Sequence, residues 1–147
     1  MEIERKFLIQ EIPFSLTGYK CRTIEQAYLN TAPVVRIRQD NDNYYLTYKS
    51  NGFLEREEYN LPLDKTSYEH LLQKADGIIL TKKRYEIPFL DKYTIELDIF
   101  EGAHAGLILA EVEFATREEA ENFTPPKWFF KDVTYQPEYC NSNLSKG

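Results

Sequence analysis

Acidic and basic side chains alternate with apolar ones at the start of the chain, in Glu2-Ile3-Glu4-Arg5-Lys6. This alternation has the period of a β-strand, so Glu2, Glu4 and Lys6 would project from one face. Two carboxylates about 7 Å apart on that face repel each other by about 2 kcal/mol at an effective dielectric constant of about 20. A divalent cation or a neighbouring cationic group would remove this penalty. The face is therefore a candidate cation site.

The same spacing of charged residues recurs along the chain, at Arg36/Arg38, Arg56/Glu58, Lys82/Arg84, Glu96/Asp98 and Glu111/Glu113. For any one strand, a solvated outer face is the default interpretation. A face selected only for solubility would usually mix the two signs, however, whereas most of these pairs carry one sign. The set as a whole therefore favours a functional role.

If these faces converge inside a barrel, seven acids and seven bases would share one lumen. The acids are Glu2, Glu4, Glu58, Glu96, Asp98, Glu111 and Glu113, and the bases are Lys6, Arg36, Arg38, Lys49, Arg56, Lys82 and Arg84. Such a lumen must be hydrated or hold ligands. Clustered Arg and Lys bind phosphate oxygens, and clustered carboxylates bind Mg²⁺ or Mn²⁺. The combination predicts metal-assisted chemistry on a polyphosphate.

Hydrophobic periodicity predicts eight strands in a single domain spanning residues 1–147. They run over Glu2–Ile9, Tyr19–Leu29, Val34–Gln39, Tyr44–Lys49, Leu54–Leu61, Ile78–Pro88, Lys92–Phe100 and Leu107–Ala115. The fold class is mainly β (α+β), antiparallel because most strands form hairpins, and either a closed barrel or a sandwich.

Two short helices are predicted between and after these strands. The first has a capping-box spacing at Thr66–Glu69 and Gly77 as a stop, and the second opens at Thr116 and runs to Phe123. The tail from Lys127 has no clear pattern, and residues 144–147 are expected to fray.

Composition excludes several function classes. The net charge is −6, which gives no support to bulk binding of nucleic acid or an anionic membrane. The two cysteines, Cys21 and Cys140, are far apart and form no zinc motif or disulfide scaffold. No apolar run approaches the ~20 residues of a membrane helix, and because the chain is charged from residue 2 we expect no signal peptide. We therefore expect a cytoplasmic protein without membrane or nucleic-acid partners, whose oligomeric state, monomer or homodimer, stays open.

The order of these motifs resembles the CYTH superfamily, also called triphosphate tunnel metalloenzymes. The resemblance begins with the ExExK pattern of residues 2–6 and covers nearly the whole chain. It continues through Gln26-Ala27-Tyr28-Leu29, Val35-Arg36-Ile37-Arg38, Thr47-Tyr48-Lys49, Arg56-Glu57-Glu58, Lys82-Lys83-Arg84-Tyr85, Ile95-Glu96-Leu97-Asp98, Gly106-Leu107, Glu111-Val112-Glu113 and Val133-Thr134, and it includes Tyr139 and Asn141 near the end.

The resemblance implies an eight-stranded antiparallel tunnel with a few short helices packed outside. It implies catalytic roles for Glu4, Glu111 and Glu113. The metal ligands it implies, for Mg²⁺ or Mn²⁺, are Glu2, Glu4, Glu58, Asp98, Glu111 and Glu113, and the phosphate-binding residues are Lys6, Arg36, Arg38, Lys49, Arg56, Lys82 and Arg84. Arg56 could instead pair with an acid of the lumen. Two positions depart from the family pattern, since Asn60 and Gln136 stand where acids are usual.

These observations favour a metal-dependent hydrolase of a small triphosphate, with inorganic triphosphate first. A class IV adenylyl cyclase, or a triphosphatase acting on thiamine, nucleoside or RNA triphosphates, is the alternative within the family. A binding module for polyphosphate or nucleotide, without catalysis, is the alternative from another class.

Overall fold

The computed structural model describes all 147 residues, and about half of them lie in one antiparallel sheet. Its ten strands are β1 (Glu2–Leu8), β2 (Lys20–Thr31), β3 (Val34–Asp40), β4 (Asn43–Lys49), β5 (Glu55–Arg56), β6 (Glu58–Leu63), β7 (Asp76–Phe89), β8 (Tyr93–Glu101), β9 (Ile108–Glu113) and β10 (Lys131–Asp132). Three short helices accompany them, α1 (Lys65–Leu72), α2 (Arg117–Asn122) and α3 (Asn141–Leu144). No helix is long and apolar enough to span a bilayer.

The sheet curls into a nearly closed barrel because one short segment reaches both of its ends. Neighbouring strands follow the order β10-β1-β9-β8-β7-β2-β3-β4-β6, and β5 pairs with β1. Since β5 and β6 are separated only by Glu57, the segment pairs with β1 through its first half and with β4 through its second. The predicted barrel is thus confirmed. The strand count of eight is corrected to ten, because the predicted fifth strand is split and the tail adds β10.

Strand register brings the charged positions of distant segments side by side. Glu4 lies opposite Glu113 and Lys6 opposite Glu111 between β1 and β9. Arg84 lies opposite Asp98 between β7 and β8. Because opposed residues share one face of a sheet, the alternating charges form a continuous ionic surface inside the barrel.

Apolar side chains on the opposite strand faces are buried under the helices. The largest cluster holds Phe7, Leu97 and Val112 with Ala120 and Phe123 from α2 and its C-terminal end. A smaller one places Tyr68 of α1 against Ala27 and Ile37. These clusters form outside the barrel, as the alternation predicts.

A third apolar cluster lies on the same strand faces as the charged side chains. It joins Tyr28, Leu80, Phe100 and Leu109 with residues of the tail that include Leu144. Leu80 is two residues from Lys82 and Leu109 two from Glu111 along their strands. The inward face is therefore charged along part of each strand and apolar along the rest.

Two predicted features of the first helix are wrong. Its N-cap is Asp64, whose side chain accepts a hydrogen bond from Ser67 N at 2.7 Å, so an acid outside the predicted box caps it. Gly77 does not end the helix but lies in β7 at φ +70°, where its backbone passes close to Ser145. The predicted start of the second helix at Thr116 is confirmed, since Thr116 Oγ1 accepts a hydrogen bond from Glu119 N at 3.1 Å, whereas the Glu119 carboxylate pairs with Lys92 and does not complete a capping box.

The predicted fraying of the C-terminus is also wrong. Leu144 is buried, Ser145 is 2% exposed, and Ile78 N donates to Ser145 O. The tail is bound to β7 through backbone atoms that the side-chain pattern of the sequence does not report.

Arg5, on the outer face of β1, joins three distant segments. Its NH1 group donates to Ala120 O and Phe123 O at 3.0 Å each, and its NH2 group pairs with Asp132 Oδ2 at 2.8 Å. The side chain is 17% exposed, so water competes little for the two carbonyl contacts.

We expect Arg5→Ala to lower the free energy of unfolding by about 2–3 kcal/mol, since hydrogen bonds of a partly buried guanidinium are lost. Urea denaturation followed by circular dichroism measures the change. The matched control is Arg117→Ala, which removes a 58% exposed arginine and its surface pairs with Glu55 and Glu121 and should leave the midpoint unchanged. Equal effects of the two substitutions would contradict the expected role of Arg5.

Candidate active site

A cavity of about 360 Å³ occupies the barrel interior, and only four of its 22 lining residues are hydrophobic. The structure brings most of the predicted site residues together there. The lining includes Glu2, Glu4, Lys6, Arg36, Arg38, Lys49, Arg56, Glu58, Arg84, Glu111 and Glu113. The inward direction of these side chains is as predicted, although their roles stay predictions.

Lys82 and Asp98 do not reach the cavity, in contrast to the other predicted site residues. Both side chains are 0% exposed, and Lys82 Nζ lies 2.7 Å from Asp98 Oδ2. Asp98 also receives Arg84 Nε at 2.7 Å and Arg84 NH2 at 2.8 Å. Burial alone would raise the pKa of Asp98, but Arg84 and Lys82 hold it below its usual range. The three side chains form a compensated ionic cluster, of which only Arg84 lines the cavity.

Glu2 and Glu58 share one cation, Lys49. Lys49 Nζ lies 3.0 Å from Glu2 Oε1 and 3.4 Å from Glu58 Oε2. Burial and the hydrogen bond with Glu58 raise the pKa of Glu2 to about 7. Burial alone would also raise the pKa of Glu58, but the hydrogen bond with Glu2 and the charge of Lys49 lower it to about 2. Two acids that lie close together titrate as a coupled pair, in which Glu2 takes up a proton before Glu58 as the pH falls.

Arg56 is near this carboxylate pair, with its NH2 group 3.8 Å from Glu2 Oε1. The alternative in which Arg56 pairs with a lumen acid therefore has a geometric basis. Asn60, one of the two departures from the family pattern, donates to Glu58 Oε1 at 2.8 Å and accepts from Thr47 Oγ1 at 2.6 Å. An amide at this position leaves the surroundings without a further negative charge.

Glu111 is compensated by two cations in the free protein. Its carboxylate lies 3.7 Å from Lys6 Nζ and 3.7 Å from Arg84 NH2. Burial alone would raise the pKa of Glu111, but Lys6 and Arg84 hold it well below its usual range. The carboxylate is therefore ionised at neutral pH.

The carboxylates of Glu4, which is buried, and Glu113, which is exposed, by contrast form no ion pair or side-chain hydrogen bond. Burial, with Glu111 and Glu2 nearby, raises the pKa of Glu4 well above its usual value. Burial, with Glu58 and Glu96 nearby, also raises the pKa of Glu113. Carboxylates with no counter-ion in the free protein are poised to receive a cation.

The carboxylates fit a divalent ion that arrives with its substrate. No group of three or more His, Cys, Asp or Glu side chains is arranged to hold a metal ion by itself. Mg²⁺ usually binds one or two carboxylates together with phosphate oxygens of the substrate, so a complete protein cage is not required. Glu4 and Glu113, which lie opposite each other on β1 and β9, supply hard oxygen ligands.

Arg36 and Arg38 supply positive charge that no acid neutralises. The NH2 group of Arg36 donates to Thr47 Oγ1 at 3.3 Å, and its Nε is buried without a partner. Arg38 donates to Gln26 Oε1 through Nε and NH2 at 2.9 and 2.6 Å. Both guanidinium groups line the cavity, where an anion would complete their coordination.

Sequence reasoning did not assign a site role to several lining residues. An ion-pair network joins Arg22 to Asp40 at 2.7 Å and to Glu96 at 3.4 Å. The two-residue period of the strands could have predicted this network, because Arg22 lies on the same face of β2 as Gln26, and Asp40 on the same face of β3 as Arg38. The lining residues of the tail, Cys140, Asn141 and Ser142, had no such signal.

An antiparallel barrel with cations and free carboxylates around one cavity defines a tunnel-type protein built to bind phosphate and metal together. The chain belongs to the CYTH domain family, whose model matches residues 1–145.

Curated relatives support this assignment over almost the full chain. The protein is 37% identical over 147 residues to an inorganic triphosphatase of Nitrosomonas europaea, and the alignment covers 98% of this chain and 96% of the relative. It is 35% identical over 152 residues to an inorganic triphosphatase of Acetivibrio thermocellus, covering 99% of this chain and 93% of that relative.

Solved structures share the fold. A crystal structure of an inorganic triphosphatase is 35% identical, has a TM-score of 0.74, and covers 100% of this chain and 95% of that chain. A Hippeastrum protein described as an adenylyl cyclase with a dominant triphosphatase activity has a TM-score of 0.60 over 82% of this chain and 83% of its own. At 16% identity, the second likeness shows the fold alone.

The opposite environments of Glu4 and Glu111 predict opposite effects on the stability of the metal-free protein. A raised pKa means that ionised Glu4 costs stability increasingly as the pH rises above its value in the unfolded chain. A lowered pKa means that Glu111 contributes stability above its unfolded value and loses it only as the pH falls through the folded one. At about pH 8, Glu4→Gln should therefore raise the thermal midpoint, and Glu111→Gln should lower stability by about 3 kcal/mol.

Differential scanning fluorimetry in EDTA measures both changes. At about pH 5 the gain from Glu4→Gln should shrink, because this pH is only slightly above the ordinary glutamate pKa of 4.5 and little of the cost of the raised pKa has then accumulated. If both substitutions destabilise the protein equally at the higher pH, the assigned charge environments are wrong.

Proposed function

We propose that this protein hydrolyses inorganic triphosphate in a reaction that requires a divalent metal ion. The observation that carries the proposal is a single cavity containing both uncompensated arginines, Arg36 and Arg38, and uncompensated carboxylates, Glu4 and Glu113. A metal–triphosphate complex presents the matching charges, oxygen anions to the arginines and a cation to the acids. The two relatives that act as inorganic triphosphatases support the substrate class.

The side chains of the cavity divide the work of binding. Arg36 and Arg38 bind phosphate oxygens from the start, because no acid has to be displaced. Lys6, Lys49 and Arg84 are paired with acids in the free protein, so they would interact with the phosphates in addition to those acids. Positive groups that face the transferring phosphoryl group stabilise the charge that spreads over its oxygens.

Glu2, Glu4, Glu58, Glu111 and Glu113 are the carboxylates of the cavity that would hold the metal, which is Mg²⁺ or Mn²⁺. When bound, the ion neutralises phosphate charge and makes a bound water more acidic. Glu4 and Glu113 are the first candidates because they have no other partner. Asp98 stays a predicted metal ligand and Lys82 a predicted phosphate-binding residue. Their complete burial beside Arg84, however, favours a role in holding that arginine.

The partner of the protein is thus a small anion. A cytoplasmic location stays a prediction, to which the two unpaired cysteines, Cys21 and Cys140, lend support.

Product identification tests the reaction. Incubation with inorganic triphosphate and Mg²⁺ or Mn²⁺ should release pyrophosphate and orthophosphate, with slower turnover of ATP and thiamine triphosphate. Ion chromatography resolves all of these products. Cyclic AMP with pyrophosphate from ATP would assign the chain as a cyclase instead, and thermal stabilisation by triphosphate without any product would assign a binding module.

Removal of one free carboxylate tests the site. Glu4→Gln should lower metal-dependent phosphate release at least about 100-fold while the fold survives, because the amide cannot bind the cation as a carboxylate does. Glu111→Gln should have the same effect on activity, and EDTA should abolish turnover of the wild-type protein. The matched control is Glu57→Gln, on the exposed residue between β5 and β6, which should keep full activity. Turnover unaffected by EDTA would refute the metal requirement.

A further inference from the structure

Two arginines of the cavity are each held by a pair of hydrogen bonds from Nε and NH2, called a fork below, but the acceptor is anionic in one case and neutral in the other. Arg84 donates from Nε and NH2 to the two oxygens of Asp98, a buried carboxylate. Arg38 donates from the same two groups to Oε1 of Gln26, a neutral amide. Both forks orient a guanidinium, but only the first neutralises it.

The charge environments differ accordingly. Burial alone would lower the pKa of Arg84, but Asp98 raises it well above its usual value. Burial, with Arg36 and Arg84 nearby, lowers the pKa of Arg38 to about 9, which is the shift expected of a cation with no acid beside it. Arg38 is therefore a half-buried, oriented cation that lacks a counter-ion in the free protein.

Gln26 is an unfavourable choice for stability alone. Its side chain is 0% exposed, and its Nε2 has no hydrogen-bond partner. A buried donor without a partner destabilises a fold, and a glutamate of the same size would accept the Arg38 fork without leaving such a donor. A residue selected only for stability would thus be the acid.

We infer that Gln26 is a positioning residue that aims the Arg38 guanidinium into the cavity without neutralising it, so that a phosphate group becomes its counter-ion. A guanidinium has five N–H donors, and Gln26 takes two of them, which leaves three for the ligand. The inference rests on the proposed function, because it takes a triphosphate as the ligand.

The Gln26→Glu variant tests this role, since it keeps the size of the side chain and the acceptor atom but adds the charge. We expect the dissociation constant for inorganic triphosphate, measured by isothermal titration calorimetry in EDTA, to rise about 10- to 100-fold. The thermal midpoint of the free protein should stay the same or rise, because the half-buried cation of Arg38 gains a counter-ion. Loss of affinity together with equal or greater stability is the expected signature.

Two further variants separate charge from position. Gln26→Leu removes the fork and keeps the charge of Arg38, so it should lower the thermal midpoint and weaken triphosphate binding less than Gln26→Glu does. Gln39→Glu is the matched control for net charge, because Gln39 adjoins Arg38 in β3 but projects from its other face and contacts Asn41 O. It should change the dissociation constant by less than about twofold at moderate salt.

The outcomes separate this inference from the proposed function. Hydrolysis by the wild-type protein decides the function, whereas calorimetry in EDTA decides the role of Gln26 even when no turnover occurs. An unchanged dissociation constant in Gln26→Glu would overturn the inference, and so would a thermal midpoint below that of the wild type. Absence of triphosphate binding to the wild-type protein in EDTA would overturn the inference alone, because hydrolysis in the presence of the metal ion decides the function.

Discussion

Ionised side chains that leave bulk water must find opposite charges or hydrogen bonds, and the interior of this barrel is built around that requirement. Asp98 meets this requirement because its carboxylate oxygens pair with Lys82 Nζ and Arg84 Nε at 2.7 Å each. Lys49 meets it between Glu2 and Glu58. The Asp98 cluster joins the consecutive strands β7 and β8, whereas Glu2 and Lys49 come from β1 and β4 and meet only when the barrel closes. The same network that enables the lumen to hold a ligand therefore depends on the complete fold.

Two groups of charged side chains in the cavity have no oppositely charged partner. Arg36 and Arg38 are held by neutral side chains, and Glu4 and Glu113 have no cation. The buried groups among them, Arg36 and Glu4, destabilise the free protein, and the four together match a ligand that carries charges of both signs. A metal–triphosphate complex carries negative charges for the arginines and a positive charge for the carboxylates, so the proposed substrate would compensate all four groups.

The local alternation of residues predicted most of the strands, because inward and outward positions differ in polarity at every second residue. The fifth predicted strand shows where this reasoning stops. Leu54–Leu61 alternates as one strand, yet it divides at Glu57 because its halves pair with β1 and β4. Pairing partners are a property of chain closure, and nothing in the segment reports them. The tail was unassigned for the same reason, since it is held by long-range contacts such as Lys6 N to Thr134 Oγ1 and Ile78 N to Ser145 O.

The sequence by itself determined which side chains share a strand face, and hence that acids and bases such as Glu4, Lys6, Arg36 and Glu111 point inward. Only the tertiary structure decided how deep each side chain lies along the barrel. Lys82 and Asp98 carry the same pattern as their neighbours but lie beneath the cavity, whereas Arg22 and residues of the tail reach it. The physical reason is that the direction of a side chain follows from a two-residue period, whereas its depth depends on the stagger between strands and on the segments that cover the barrel.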